Sequence, residues 1–314
     1  LFARAVETPG GLRIQTIHAF AERLLHLFPF EANVPFRFQV LDDAGKRELL
    51  DAARRQTVRA AVAAPGSGLG RAFALVAGEA AEETLTGLLD EAVPLLGKMA
   101  LADDRDEMRR QAAAALGLPH DADGQWLASR IEQAFDRTLW SARAARVAGL
   151  ATMARDIAWA QDMARAVRQP AVEALDTLVG MYLTQAGTFR KSPLNKDMAT
   201  ECPDIAAANG DLAAVVAGLE DDRRALETLD LSTALSELAE AVADRFHAAK
   251  IARALVDFDD IIALTRRLVV HPGASWVLRK LDGGIDHVLI DEAQDTTPDM
   301  WQIVRQLTDE FYAG

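Results

Sequence analysis

Two adjacent carboxylates near the C-terminal end of the chain, Asp291 and Glu292, are the residues that most directly suggest chemistry. They follow an apolar run of β-forming residues, Val288–Ile290, which predicts a buried strand of a parallel sheet. Ligands of open α/β sheets bind at the carboxyl ends of strands. One acid there can hold Mg²⁺ through its water shell, while the other orients or deprotonates a water that attacks a nucleotide. The alternative is a strand that ends at a solvated acidic turn.

Gln294 and Asp295 extend this motif, and the longer run Asp291–Thr296 is far more specific than the acid pair alone. The chain contains no Gly-x-x-x-x-Gly-Lys-[Ser/Thr] loop that could cradle phosphates. Without such a loop an acid pair binds a nucleoside triphosphate poorly. The chain also begins inside a predicted helix and stops soon after the motif, so we expect it to be a piece of a larger protein.

A second candidate site is the pattern Thr16-x-His18-x-Phe20, where a predicted strand, Leu12–Ile17, leads into a helix that extends to Phe28. A hydroxyl, an imidazole and a helix N-terminus together can hold a phosphate or stack beside a base. We expect this pattern on the same side of the sheet as Asp291. The alternative is a capping threonine and a packed histidine.

A third pattern is acidic: Asp257, Asp259 and Asp260 flank Phe258 at the predicted start of a helix. Acids there interact favourably with the helix dipole, which is a simpler explanation than a metal site. We expect Phe258 to lie in the core on the same helix face as Ile261.

Two further predictions concern single residue types. Lys250 and Arg253 are expected to form a solvated basic face. The five tryptophans are expected to pack in the core: Trp126, Trp140, Trp159, Trp276 and Trp301.

Composition sets further bounds on the chain. It has 314 residues, a formal net charge of −13 and a single cysteine, Cys202. Such a negative net charge disfavours non-specific electrostatic binding to the phosphate backbone, so any DNA-binding site must be local. One cysteine excludes a disulfide framework within the chain and fits a reducing cytoplasm. No apolar run is long enough to predict a membrane span.

The predicted fold is mostly α with a small parallel sheet, in which a partial α/β core is interrupted by a large helical insertion. The predicted domains are residues 1–41, the helical insertion 42–250, and residues 251–314. Helices are expected over Asp43–Ala63, Ala72–Ala77, Glu79–Met99, Asp104–Leu116, Asp123–Gln169, Pro170–Ala186, Asp204–Lys250, Pro272–Leu281 and from Pro298. Breaks are expected near Trp140–Ser141 and Asp230–Ser232.

Three motifs in this order and spacing resemble the UvrD-like superfamily 1 DNA helicases. His287–Thr296 looks like their Walker B motif, Ile14–Phe20 resembles the Thr-x-His-x-Phe motif before the insertion called 1B, and Asp257–Ile262 is similar to the Asp-Phe-Asp-Asp-Leu element after it. The stretch Ala21–Arg37 is more similar to the AddA-type helicase-nucleases of alphaproteobacteria, which act in double-strand-break repair.

The resemblance implies a RecA-like core, domain 1A, with Mg²⁺ and ATP as cofactors. Asp291 would coordinate Mg²⁺, Glu292 would activate the hydrolytic water, and Gln294 and Asp295 would couple the γ-phosphate to neighbouring motifs. Thr16, His18 and Phe20 belong to the motif expected along single-stranded DNA.

The insertion would contact duplex DNA or an AddB-like partner subunit in a heterodimer. The resemblance also places the Walker A loop upstream and a second motor domain and an exonuclease domain downstream, so the segment alone is expected to be inactive. Two alternatives stay open: a UvrD or Rep-type helicase without a nuclease, and a helical module that docks a partner protein.

Overall fold

The computed structural model describes residues 15–98, 105–270, 276–277, 280, 290 and 293–312. The chain divides into two compact units, residues 1–60 with 241–314, here called the core unit, and residues 61–240, here called the helical unit. Several predictions lie wholly or mainly outside the described residues: Asp291 and Glu292, most of the strands Leu12–Ile17 and Val288–Ile290, and most of the helix Pro272–Leu281. The predicted domain boundaries and the RecA-like assignment stay predictions.

The described residues are mostly helical. In chain order the elements are α1 Ile17–Leu27, β1 Gln39–Val40, α2 Asp43–Ala63, α3 Gly68–Glu79, α4 Glu82–Lys98, α5 Arg105–Ala115, α6 Gly124–Ala134, α7 Arg137–Leu150, α8 Ala154–Ala166, α9 Ala171–Tyr182, α10 Lys196–Glu201, α11 Pro203–Ala252, β2 Leu255–Val256, α12 Phe258–Val270, a 3₁₀ turn Ala293–Asp295, and α13 Pro298–Tyr312.

The core unit contains a short parallel pair, in which Gln39 of β1 lies opposite Leu255 of β2. The Gln39 backbone N–H donates to Ala254 O at 2.9 Å, and the Leu41 N–H donates to Val256 O at 2.9 Å. The sequence predicts a short extended segment over Phe36–Leu41, which contains β1, but gives no signal for β2, because two residues are too few to show an alternating pattern. The pair joins segments more than two hundred residues apart in the chain.

Helix α12 organises the apolar core of this unit, because it packs against both α1 and α13. Its buried residues include Ile261 and Val269, which share one cluster with Leu24 and Leu25 of α1 and Ile303 of α13. Trp276 and Trp301 were predicted to be core residues, and this was wrong: their side chains are 47% and 41% exposed.

The helical unit has its own core, formed mainly where α8 packs on α7 and α9, and α9 on α6. Its largest fully buried side chains include Ile131, Phe135, Met163, Leu175 and Leu178. Trp140 and Trp159 are buried there, as predicted.

Helix α2 has the predicted bounds, whereas two predicted helix breaks were wrong. The break expected near Trp140 occurs earlier, because the Asp136 carboxylate accepts from the Leu139 N–H at 2.9 Å and so starts a new helix. The break expected near Asp230–Ser232 is absent. Helix α11 continues through it, and buried Leu229, Ala234 and Leu238 maintain its apolar face.

No single helix in the described residues is long and apolar enough to cross a membrane. Helices α2 and α3 meet the length and composition criterion only as a pair, with a bend of 104° between them.

Candidate functional site

The start of α1 is built by Thr16, as the sequence predicted. Thr16 has extended backbone, with φ −67° and ψ 158°, and its hydroxyl oxygen accepts from the Ala19 N–H at 3.2 Å. The Thr16 carbonyl accepts the first backbone bond of the helix, from the Phe20 N–H at 3.0 Å. Thr16 is exposed, so the capped N-terminus of α1 faces solvent. A helix N-terminus favours an anion because its free N–H groups carry partial positive charge.

His18 lies in the first turn of α1 and meets Phe258 of α12. The two ring centroids are 5.5 Å apart with an interplanar angle of 87°, an edge-to-face contact. Phe258 was predicted to be a core residue, and this was wrong: 44% of it is exposed. The reason is its place as the first residue of α12, one turn before the fully buried Ile261. The structure therefore joins the Thr-x-His-x-Phe motif to the acidic motif.

Phe20 is only partly exposed and packs against the apolar core of the core unit. The guanidinium carbon of Arg23 lies 5.7 Å from the centroid of the Phe20 ring, within the range of a cation–π contact. Phe20 therefore anchors α1, and Thr16 is the member of the motif that is most open to solvent.

The acidic residues around Phe258 form a reciprocal cap at the start of α12. The Asp260 N–H donates to Asp257 Oδ1 at 2.9 Å, and the Asp257 N–H donates to Asp260 Oδ2 at 3.2 Å. Such a capping box satisfies two backbone donors that a helix start otherwise leaves free. The structural explanation of these acids is confirmed.

Lys250 was predicted to sit on a solvated basic face, and this was wrong. Its side chain is only 6% exposed, and its ammonium lies 3.0 Å from Asp257 Oδ2 and 2.5 Å from Asp260 Oδ2. The ammonium also lies 4.7 Å from the Phe246 ring centroid. A buried ammonium is tolerated only when it is paired and hydrogen-bonded, which these contacts provide.

Lys46 of α2 completes the cluster from its exposed side. Its ammonium donates to Asp259 Oδ2 at 2.8 Å and lies 3.8 Å from Asp257 Oδ2. Burial works to lower the pKa of Lys46, but the hydrogen bond to Asp259 and the nearby carboxylates raise it overall. Burial likewise works to raise the pKa of Asp257, yet Lys250, the Asp260 N–H and Lys46 together hold it below its usual value. Sequence reasoning missed this cluster, because Lys46 and Lys250 carry no motif of their own.

The described part of the Asp-Glu motif leads directly into α13. Ile290 is half-buried, and Gln294 is exposed within the 3₁₀ turn Ala293–Asp295. Thr297 then caps α13, since its carbonyl accepts from the Trp301 N–H at 3.0 Å and its hydroxyl lies 3.4 Å from the Met300 N–H. Pro298 follows at the first helical position, where its missing N–H costs nothing. The predicted final helix is confirmed.

A cluster of metal ligands is absent from the described ranges, where no group of three or more His, Cys, Asp or Glu side chains is placed to hold an ion. Since Asp291 and Glu292 lie outside those ranges, their assigned roles stay predictions.

The match to a family model agrees with this arrangement of motifs. The UvrD/REP helicase N-terminal domain matches residues 5–312, nearly the whole chain. The chain belongs to this family, which places it among the ATP-dependent DNA helicases. A comparison with curated proteins found no match.

Proposed function

We propose that the chain contributes to the motor of an ATP-dependent DNA helicase, with its Asp-Glu motif serving ATP hydrolysis and the start of α1 serving single-stranded DNA. The family match over residues 5–312 carries the proposal. The edge-to-face contact between His18 and Phe258 supports it, because it places two of the three sequence motifs side by side.

The donor chemistry of Asp291 and Glu292 fits Mg²⁺ with ATP, since carboxylate oxygens are ligands that Mg²⁺ prefers. In this proposal Asp291 would hold the ion, which when bound would supply positive charge to the phosphates. Glu292 orients the attacking water and accepts its proton. Gln294, exposed in the 3₁₀ turn, and Asp295 relay the state of the γ-phosphate to the DNA-contacting segment.

On the DNA side, the capped N-terminus of α1 receives a phosphate while Thr16 and His18 contact the strand. Phe20 fixes the helix against the core, where it is packed. Backbone N–H groups and hydroxyls are common phosphate ligands in nucleic-acid complexes, and they position a strand without reading its sequence.

The finer part of the proposal is an AddA-type helicase-nuclease that acts with an AddB-like subunit in cytoplasmic double-strand-break repair. It rests on the similarity of Ala21–Arg37 to that group. The alternative within the family is a UvrD or Rep-type helicase without a nuclease. ATP-dependent degradation of linear duplex DNA by the purified protein distinguishes the two.

A second role, docking of a protein partner, is favoured by exposed apolar side chains in the helical unit. Leu150 at the end of α7, Met153 just before α8 and Ile157 in the first turn of α8 are 40%, 55% and 40% exposed. Large exposed apolar side chains grouped in this way are typical of interaction surfaces. In this role Met153→Asp with Ile157→Asp abolishes co-purification with an AddB-like subunit, whereas unchanged co-purification excludes this surface.

The central experiment measures ATP hydrolysis by the full protein encoded by the gene, with and without single-stranded DNA, for wild type and Glu292→Gln. We expect the variant to bind ATP but to hydrolyse it about 10²- to 10⁴-fold more slowly, the usual contribution of a positioned general base. Glu31→Gln, which changes an exposed carboxylate of the core unit, is the matched control. Equal hydrolysis by all three proteins, or no response to DNA, contradicts the proposal and leaves the docking role in first place.

A further inference from the structure

The most unusual side chain in the core unit is Lys250, a lysine with 6% of its side chain exposed, next to an Asp257 side chain with 4% exposed. Lysine is almost never buried unless it is paired. Both carboxylates that pair with its ammonium, Asp257 and Asp260, are also the two caps of α12. The ammonium and the start of α12 therefore depend on each other.

The chain between Lys250 and Asp257 is short and tightly constrained. The α11 helix ends in a turn, where Ala254 takes the left-handed conformation with φ +53°, and the chain then enters β2. An L-residue with that conformation is held by its surroundings rather than by preference. Two contacts hold this turn in place. The Gln39 N–H donates to Ala254 O, and Lys250 pairs with Asp257.

Phe258 lies between the two caps in sequence, and its ring is the one that meets His18. A shift at the start of α12 thus moves the Phe258 ring relative to His18. Because His18 is only two residues from the exposed Thr16, the same shift alters the segment to which we assign DNA contact.

We propose that Lys250 is a positioning residue for the DNA-stimulated reaction. Through Asp257 and Asp260 it fixes Phe258 against His18, and thereby holds the Thr16–His18 segment in the conformation that accepts single-stranded DNA. This inference rests on the function proposed above.

The test uses the full protein and Lys250→Met, which removes the ammonium that pairs with Asp257 and Asp260. We expect the single-stranded DNA concentration that half-saturates ATP hydrolysis to rise about tenfold, within the usual range of coupling between sites. The maximal rate at saturating DNA should change by less than about twofold, because Lys250 touches no reacting atom. Anisotropy of labelled oligo(dT) without ATP should show the same loss of affinity.

Three further variants separate positioning from general damage. Lys250→Arg keeps a cation and should return the half-saturating DNA concentration to within about threefold of wild type. Phe258→Leu keeps an apolar side chain but removes the ring edge, and should weaken DNA binding as Lys250→Met does. Arg266→Met removes an ion pair with Asp299 from the same unit, 3.1 Å long and about half exposed, and should leave DNA binding unchanged.

If Lys250→Met does not fold, the triple variant Lys250→Met, Asp257→Asn and Asp260→Asn takes its place, since it retains neutral caps and buries no unpaired charge. Unchanged DNA affinity in a folded variant contradicts the positioning role. A variant with a lower maximal rate of ATP hydrolysis but unchanged DNA affinity contradicts it as well. A wild-type protein that shows no DNA stimulation contradicts the proposed function instead, so the two failures are distinguishable.

Discussion

The core unit carries 17 basic and 19 acidic side chains, whereas the helical unit carries 17 basic and 28 acidic ones. Their formal charges are therefore −2 and −11, which together give the −13 of the chain. A strongly negative surface repels a phosphate backbone. The contact with duplex DNA that family resemblance implies for the insertion thus requires a local site.

Buried charges also differ between the two units. In the helical unit, Glu220 pairs with Arg223 and Arg224 of the same helix, three and four residues along, at 2.7 and 2.9 Å. In the core unit, Asp257 meets Lys46 from a segment more than two hundred residues away. The first arrangement follows from helical spacing. The second forms only when distant segments meet, so it can report on the tertiary structure.

The largest expected effect tests whether the two cores are energetically separate. Ile131 in the helical unit and Ile261 in the core unit are both fully buried, and replacing either by Ala should lower the free energy of unfolding by about 2–5 kcal/mol. Single-tryptophan variants that keep Trp159 or Trp301 report on each unit. Ile131→Ala should lower the denaturant midpoint of the Trp159 signal more than that of the Trp301 signal. Equal shifts of both signals would show a single cooperative unit, and Ile157→Ala, at a half-exposed site, is the control.

Asp257→Asn sharpens the comparison of buried charges. It keeps a good cap but removes charge beside Lys250, so we expect a loss of about 3 kcal/mol at neutral pH. The pKa of Asp257 is lowered in the folded protein, so its stabilisation is complete above the unfolded pKa of about 3.9 and is lost as pH falls through the folded value. The difference between wild type and variant should therefore stay constant from neutral pH to about pH 5 and shrink below about pH 4. A difference that persists at low pH would assign the loss to packing instead.

Asn195→Ala tests the corresponding feature of the helical unit, where a buried carboxylate anchors a loop. The Asp156 carboxylate accepts from the Asn195 N–H at 2.9 Å and from its side-chain amide, while the Asn195 side-chain oxygen caps α10 by accepting from the Met198 N–H at 2.8 Å. Losing the cap and one partner of Asp156 should cost about 1–3 kcal/mol. Urea denaturation measures the loss, which Asn195→Asp should worsen because it places two carboxylates together.

The smallest expected effect concerns DNA. Lys191→Gln removes an exposed cation from the acidic helical unit, and we expect less than about a twofold change in oligo(dT) affinity and no change in its salt dependence. A salt slope reduced by about one would show that Lys191 contacts a phosphate, and would weaken the contrast between the two units.

Sequence reasoning located the motifs and most of the helices. The cap at Thr16, the bounds of α2 and the start of α13 were all predictable, because each depends on residues within one or two turns. The failures have different causes. Trp301 was taken for a core residue from its helical spacing, although spacing gives a face and not what covers that face. The break predicted at Asp230–Ser232 failed because local preferences are worth less than burying Leu229 and Leu238.

The sequence by itself determined the family, the order of the three motifs and the helical character of the long middle region, since each is a pattern in consecutive residues. Only the tertiary structure decided that β1 pairs with β2, that Phe258 meets His18, and that Lys250 is buried with Asp257. Two of these three contacts join residues more than two hundred positions apart, and the burial of Lys250 depends on the packing around it. A lysine in a helix looks like surface until the chain folds back and removes its water, after which its ammonium must be paired.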